Sequence, residues 1–184
     1  MVVCDRLPIS PQNREREMPP TANAIIEQLG LKPHGTCGFM GETFVSDRRI
    51  PADALPAEYQ GSRPLGGVFY FLVTPEASIR LHRIRSDQMY HHYLGEPLEV
   101  LLFHPGGSCE IHVVGSDLAA GMRPQLLIPG GTFHAGRVRT SSGYALLGTS
   151  VWARAEPEDV ELGNPTQLLK EYPSACGVIA EFTG

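Results

Sequence analysis

The sequence predicts a single all-β domain, either a sandwich or a barrel of short strands. The 184 residues include 20 glycines and 16 prolines, nearly a fifth of the chain, and this frequency is typical of a fold with many turns. From residue 68 onward, short apolar or alternating segments recur about every ten residues, separated by Gly or Pro. This regular spacing indicates a strand-rich sandwich or barrel.

Nine segments have the pattern of strands. The first, residues 39–46, alternates polar and apolar side chains, and eight more follow at residues 68–73, 78–84, 88–93, 98–103, 109–114, 124–128, 133–139 and 144–152. Residues 21–31 predict a helix, because Thr21 or Asn23 can cap its start and Gly30 can end it. Residues 165–171 predict a second short helix. Between the first two strands, residues 48–67 contain three prolines and predict a long, mobile surface loop.

Composition excludes several classes of protein. The net charge of −5 gives no basic field that would attract nucleic acid or anionic lipid. The sequence also has no run of 18 apolar residues, the length that a membrane-spanning helix needs. The four cysteines form no C-x-x-C pair, which argues against zinc-knuckle, thioredoxin and disulfide-framework folds and indicates reduced thiols in the cytoplasm. Residues 1–20 are charged and lack the apolar core of a signal peptide, so we expect a flexible lead-in before one domain at 21–184.

Two short motifs carry the candidate chemistry. His82 is followed by Gln88 and Gly95, and a second segment about forty residues later ends in His134. Both segments resemble the two cupin motifs, H-x-H-x(3,4)-E-x(6)-G and P-x-G-x-x-H. The matching residues are His82, Gln88, Gly95, Pro129, Gly131 and His134. Because strand side chains alternate between faces, H-x-H points both of its positions to one side of a sheet, where a metal site can form.

Two of the four metal-binding positions differ from the cupin pattern. Ile84 stands where the motif has its second His, and Gln88 stands where it has Glu. Ile cannot coordinate a metal, and a neutral amide is a poor substitute for a carboxylate. His82, His134 and Gln88 therefore remain as weak metal ligands, and Tyr90 and His92, which share a strand face with Gln88, are further donors.

The resemblance narrows to one group of small cupins. Residues 31–46 (LKPHGTCGFMGETFVS) and 95–100 (GEPLEV) are similar to segments of the domain-of-unknown-function 985 group, and the similarity extends over about residues 21–172. It implies a cupin jelly-roll barrel, a double-stranded β-helix, with short N- and C-terminal helices. Gln88, Tyr90 and Gly41 depart from residues common in that group, which indicates a pocket adapted to a particular ligand.

Candidate site residues follow from the strand pattern. Catalytic candidates are His82, His134, Glu42, the one carboxylate at an inward motif position, and Tyr90. Strand parity puts either Tyr90 or His91 inside the barrel. Substrate-binding candidates are Gln88, His91, His92, Phe71 and Ile84.

Three functions are consistent with this set. The first is an isomerase, epimerase, cyclase or dehydratase that uses acid–base chemistry on a small molecule without a cofactor. The second is an oxygenase or lyase that binds Fe, Ni, Mn or Zn, and the third is a non-catalytic metabolite-binding protein. Because the strand edges of a small barrel need cover, we also expect a homodimer.

Overall fold

The computed structural model describes residues 19–104, 107–173 and 176–183. The expected lead-in lies, except for its last two residues, outside these ranges. Three α-helices and thirteen strands form the described chain: α1 (Ala22–Gln28), β1 (Lys32–Pro33), β2 (Phe39–Val45), β3 (Arg49–Ile50), β4 (Arg63–Pro64), β5 (Gly67–Val73), β6 (Ile79–Ile84), β7 (Asp87–Gly95), β8 (Leu98–Phe103), β9 (Cys109–Val114), β10 (Gln125–Ile128), β11 (His134–Arg137), β12 (Ala145–Trp152), β13 (Val160–Leu162), α2 (Pro165–Glu171) and α3 (Cys176–Thr183).

Two antiparallel sheets face each other. One has the order β1-β2-β5-β12-β7-β10, and the other has the order β13-β6-β11-β8-β9. From β5 onward the chain crosses from one sheet to the other at every connection except that between β8 and β9, as in a jelly roll. The prediction of an all-β jelly-roll barrel with short terminal helices is therefore confirmed.

The main core fills the space between the sheets. Each sheet contributes alternate side chains, such as Phe71 and Leu147 from the first and Val100 and Leu102 from the second. The outer faces are partly covered as well: α1 packs Ile25 on the first sheet, and α2 and α3 pack on the second. Strand β8 is buried along its whole length because it is covered on both faces.

The predicted loop at residues 48–67 is more ordered than its composition indicates. It contains the β3–β4 pair and a 3₁₀ helix at Ala52–Ala54. Near its end, Arg63 is only 2% exposed and pairs with the buried Asp159, with Nε 2.7 Å from Oδ2. The sequence pattern also missed β13, which is three residues long, and α3. No helix in the described ranges has the length and apolar character required to cross a membrane.

Candidate functional site

A cavity of about 460 Å³ opens at one end of the barrel. Its polar wall includes side chains from β6, β7 and β12 and from the turn before β2: His34, Thr36, His82, Gln88 and Thr149. Its apolar wall includes Met40, Phe69, Ile84, Val151 and Val160. The segment 153–160, which we call the rim segment, contributes Arg154 and Glu156 to the mouth. The cavity thus combines an apolar body with a few polar groups, as small-molecule sites do.

His82 lies on β6 and faces the cavity. Its Nδ1 atom is 2.7 Å from the backbone oxygen of Arg80. Since a carbonyl oxygen can only accept, Nδ1 carries the proton and Nε2 is left as an acceptor. No hydrogen-bond partner for Nε2 is found within the described ranges. The backbone therefore fixes both the tautomer and the orientation of this imidazole.

His134 is presented by the turn that precedes β11. Gly131 adopts a φ of +76°, which favours glycine, and its backbone N–H donates to the Ile84 oxygen at 2.7 Å. A Cβ atom on Gly130 would collide with the backbone oxygen of Arg85. These two glycines hold the turn against the end of β6, which places His134 directly opposite His82 in the β6–β11 pairing.

The two imidazoles pack against each other. Their ring centroids are 4.3 Å apart, and His134 is completely buried while His82 is 2% exposed. Nδ1 of His134 donates to the Thr132 oxygen at 3.2 Å, so Nε2 accepts from the Tyr90 hydroxyl at 3.2 Å, and the Gln88 amide nitrogen lies 3.3 Å away. His134 thus sits behind His82 rather than on the cavity wall.

Burial determines the charge state of this group. Loss of solvation lowers the pKa of His82 to about 4 and that of His134 well below its usual range. The same desolvation raises the pKa of Tyr90 well above its ordinary value and that of Cys37 to about 11. At neutral pH the pair is therefore two neutral imidazoles beside a neutral phenol and a neutral thiol.

The side chains of Tyr90, His91 and His92, consecutive residues of β7, lie in three different places. Tyr90 is inside the barrel, whereas His91 lies on the outer face, where it contacts Ser150 Oγ at 3.1 Å and the Gln125 amide. His92 is half-buried near the far end of β7, with Nε2 3.0 Å from the Glu96 backbone oxygen. Neither His91 nor His92, both expected to bind substrate, lines this cavity.

Glu42 is not inside the cavity either. It faces the same side of the sheet as its strand partner Phe69, but it is exposed and pairs with Arg154 at 2.9 Å. Strand parity was therefore a correct guide to the face but not to the position along the barrel axis. The carboxylate on the cavity wall is Glu156, which also pairs with Arg154, at 2.8 Å.

Phe71 lies deeper than expected. Its side chain is fully buried and packs against Tyr90 with ring centroids 4.8 Å apart. Phe69, two residues earlier on β5, lines the cavity in its place. Ile84 and Gln88 both lie on the cavity wall.

Sequence reasoning missed several residues of the cavity wall: His34, Thr36, Cys37, Thr149, Arg154 and Glu156. The first three follow Pro33 in the segment that resembles the group's opening, so that motif was the available signal. Thr149, Arg154 and Glu156 belong to no motif. Only the alternation along residues 144–152, counted together with its partner strands, would have placed Thr149 inside.

The donor set does not fit the metal site of the cupin motifs. Ile84 occupies a ligand position on the cavity wall, and Nε2 of His134 already accepts a hydrogen bond. His92, one of the two expected additional donors, is too far along β7 to contribute. Across the three described ranges, no three His, Cys, Asp or Glu side chains are grouped to hold a metal ion.

Solved structures show close likeness over nearly the whole chain. A hypothetical protein from Leishmania major has 26% sequence identity and a TM-score of 0.80, over 89% of this chain and 99% of that protein. A protein from Shewanella oneidensis has 28% identity and a TM-score of 0.78, over 90% of this chain and 98% of that protein. No curated protein sequence matches the chain. The sequence profile of the family described as "Cupin superfamily (DUF985)" matches residues 23–163, and the chain therefore belongs to this cupin family.

Proposed function

We propose that the barrel cavity binds a small molecule and that His82 transfers a proton on it without a resident metal, as in an isomerase or lyase. One observation carries this proposal. His82 lines the cavity with its Nδ1 atom fixed on the Arg80 oxygen at 2.7 Å, which leaves Nε2 unprotonated and without a protein partner in the described chain. A neutral imidazole held in one tautomer is the form that a general base requires.

The chemistry balances without a cofactor. Nε2 of His82 takes a proton from an acidic C–H or O–H bond of the substrate and becomes an imidazolium beside the resulting enolate or alkoxide. The ion pair stabilises both charges in the desolvated cavity, whereas burial by itself holds the pKa of His82 at about 4. Return of the proton to another atom completes an isomerisation, and transfer to a leaving group completes an elimination.

His134 and Tyr90 lie behind His82 and position it for its role as a base. His134 packs on the ring of His82, and the Tyr90 hydroxyl donates its proton to Nε2 of His134. We assign both as positioning residues. The packing restricts the ring of His82 to one orientation, which is the condition for efficient proton transfer.

Deuterium exchange tests the proposal without knowledge of the natural substrate. The protein is incubated in D₂O with a panel of small ketones, lactones and hydroxy acids, and proton NMR follows the loss of C–H signals. We expect exchange on at least one compound class with wild-type protein and its loss in His82→Gln. His91→Gln is the matched control, because His91 lies on the outer face of the neighbouring strand.

Metal analysis distinguishes the alternative enzyme. We expect substoichiometric metal in protein purified without chelation, and unchanged exchange after dialysis against EDTA. About one Fe, Ni, Mn or Zn per chain, with exchange lost on dialysis, would instead favour a metal-dependent oxygenase or lyase. Ligand binding without exchange in any variant would identify a non-catalytic binding protein.

A further inference from the structure

One buried hydroxyl on the cavity wall has no hydrogen-bond partner among the described residues. Thr149 lies in the middle of β12, between Phe69 of β5 and Tyr90 of β7, and its side chain is on the cavity wall. The residue is 4% exposed, and Oγ1 makes no hydrogen bond in the described structure. It is the single buried side-chain oxygen or nitrogen of the described ranges in this condition.

An unpaired buried hydroxyl destabilises a protein, because it loses its hydrogen bonds to water and gains none in return. Valine has nearly the same shape and would avoid that cost. The hydroxyl can donate one hydrogen bond and accept others. A bound molecule that reaches the cavity wall would supply the missing partner.

The charges around the cavity limit what that molecule can be. His82 is neutral, and burial also lowers the pKa of His34. The guanidinium of Arg154 pairs with Glu42 and Glu156, so its charge is already balanced at the mouth. Neither an anionic nor a cationic group inserted beside Thr149 would find an unpaired opposite charge, and burying such a group is costly.

The remaining wall favours an apolar body. Met40, Phe69 and Val151 line the cavity together with the Ile84 and Val160 side chains. Ile84 stands at a position where the cupin motif has His, so this wall is less polar than the motif predicts. An aliphatic or aromatic group would bury its surface against these side chains.

We propose that Thr149 donates a hydrogen bond to the carbonyl oxygen of an uncharged ligand whose apolar body packs on the Met40, Phe69 and Val151 side of the cavity. This inference rests on the proposed function and specifies its substrate class. A neutral ketone, lactone or amide has both the acceptor that the Thr149 hydroxyl lacks and a proton next to its carbonyl group for His82 to remove.

Two probes of matched shape test the charge requirement. 4-Phenylbutan-2-one is an uncharged ketone with an aromatic body, and 3-phenylpropanoate presents a carboxylate at nearly the same position. Both are titrated into the full-length protein, and chemical-shift changes of the protein give the dissociation constants. We expect the ketone to bind at least tenfold more tightly. Equal or tighter binding of the carboxylate, or no binding of the ketone at millimolar concentration, would overturn the inference.

Two variants test the hydroxyl. Thr149→Val removes it, and we expect about fivefold weaker ketone binding, as for loss of one neutral hydrogen bond. The same variant should raise the Tm of the free protein by about 2–4 °C, because it removes an unpaired buried group. Thr149→Ser keeps the hydroxyl and should retain the affinity for the ketone.

Each result bears on the inference separately from the proposed function. Unchanged ketone affinity in Thr149→Val would show that the hydroxyl is not a ligand contact, and a lowered Tm of that variant would show that the hydroxyl already has a partner within the protein. Either result would overturn the inference. Deuterium exchange that depends on His82 but occurs only on charged substrates would also overturn it, while leaving the proposed function intact. Failure of exchange on every compound would overturn the proposed function itself.

Discussion

His82 and His134 pack against each other across two paired strands with their ring planes tilted by 52°, and each donates its Nδ1 proton to a backbone oxygen two residues earlier in the chain. This repeated geometry explains why two imidazoles can be buried together. Neither ring is charged at neutral pH, since burial lowers the pKa of both. The stability that depends on this buried pair should therefore be lost in acid rather than in base.

The free energy of unfolding is expected to fall as the pH falls from about 6.5 to 4. In the unfolded chain His82 takes up a proton near pH 6.5, whereas in the folded protein its pKa is about 4. Below 6.5 the unfolded state therefore binds more protons, and the folded state loses stability. The shift corresponds to about 3 kcal/mol for His82, with His134 adding in the same direction. Urea unfolding at a series of pH values measures the effect.

His82→Gln provides the control for this pH dependence, because glutamine does not titrate. The variant should lose part of the decrease between pH 6.5 and 4 and keep the part that comes from His134. A pH profile identical to that of the wild type would show that His82 is not desolvated in solution.

Replacement of Glu42 by glutamine should have little effect. Glu42 is exposed at the mouth and pairs with Arg154, and exposed ion pairs contribute about 0.2–1 kcal/mol. We expect Glu42→Gln to unfold within about 1 kcal/mol of the wild type and to exchange deuterium at a comparable rate, as measured by the NMR assay. A tenfold or greater loss of rate would return Glu42 to the catalytic group and contradict the structure of the mouth.

At the scale of elements, the rim segment links the cavity to the chain that precedes β5. Glu156 and Val160 line the cavity, while Asp159 between them is buried and receives two hydrogen bonds from Arg63, at 2.7 and 3.0 Å. Arg63 also donates to backbone oxygens of residues 60–62. This buried ion pair fixes the rim segment against residues 48–67 and so determines the shape of the mouth.

Removal of one partner of this ion pair should be strongly destabilising. Arg63→Met leaves the Asp159 carboxylate buried, with a 3.4 Å contact to Arg85 as its remaining contact with a cationic side chain in the described ranges and one hydrogen bond from the Glu156 backbone. We expect a loss of about 3–5 kcal/mol in the free energy of unfolding, measured by urea denaturation. The double variant Arg63→Met, Asp159→Leu removes both charges and should recover part of that loss. A double variant less stable than the single one would show that Asp159 contributes mainly through its contact with the Glu156 backbone.

At the scale of the whole molecule, the two sheets leave four strand edges. β1 and β10 end the larger sheet, and β13 and β9 end the smaller one. An apolar groove also lies on the outer face beside α1, where Leu29, Tyr93 and Leu94 are exposed. Exposed edges and apolar patches of this kind favour association with another chain.

We therefore expect a homodimer, with strands near the N-terminus packing on the partner. Light scattering at micromolar concentration should give a mass near twice the 20.1 kDa of one chain. Leu94→Lys adds a charge beside the apolar groove and should shift the equilibrium toward the monomer. A wild-type mass near 20.1 kDa would contradict the prediction.

Much of the fold could be predicted from local patterns. Strands β8 and β9 begin and end at the predicted residues, because each is a compact apolar or alternating segment next to a turn. Strand β13 was missed because it is three residues long and takes its place only by pairing with β6. The tail helix α2 was predicted from its own sequence, whereas α3 was not.

The sequence by itself determined the barrel, because strand alternation and turn chemistry are local properties of the chain, and its two cupin-like motifs predicted that His82 and His134 lie close together. Only the tertiary structure decided how deep each side chain lies and which charge it meets. Glu42 is held at the mouth by Arg154, which is 112 residues away in the chain, and the Thr149 hydroxyl is left without a partner by the strands on either side of it. Such relations depend on contacts between distant segments, and no local pattern contains them.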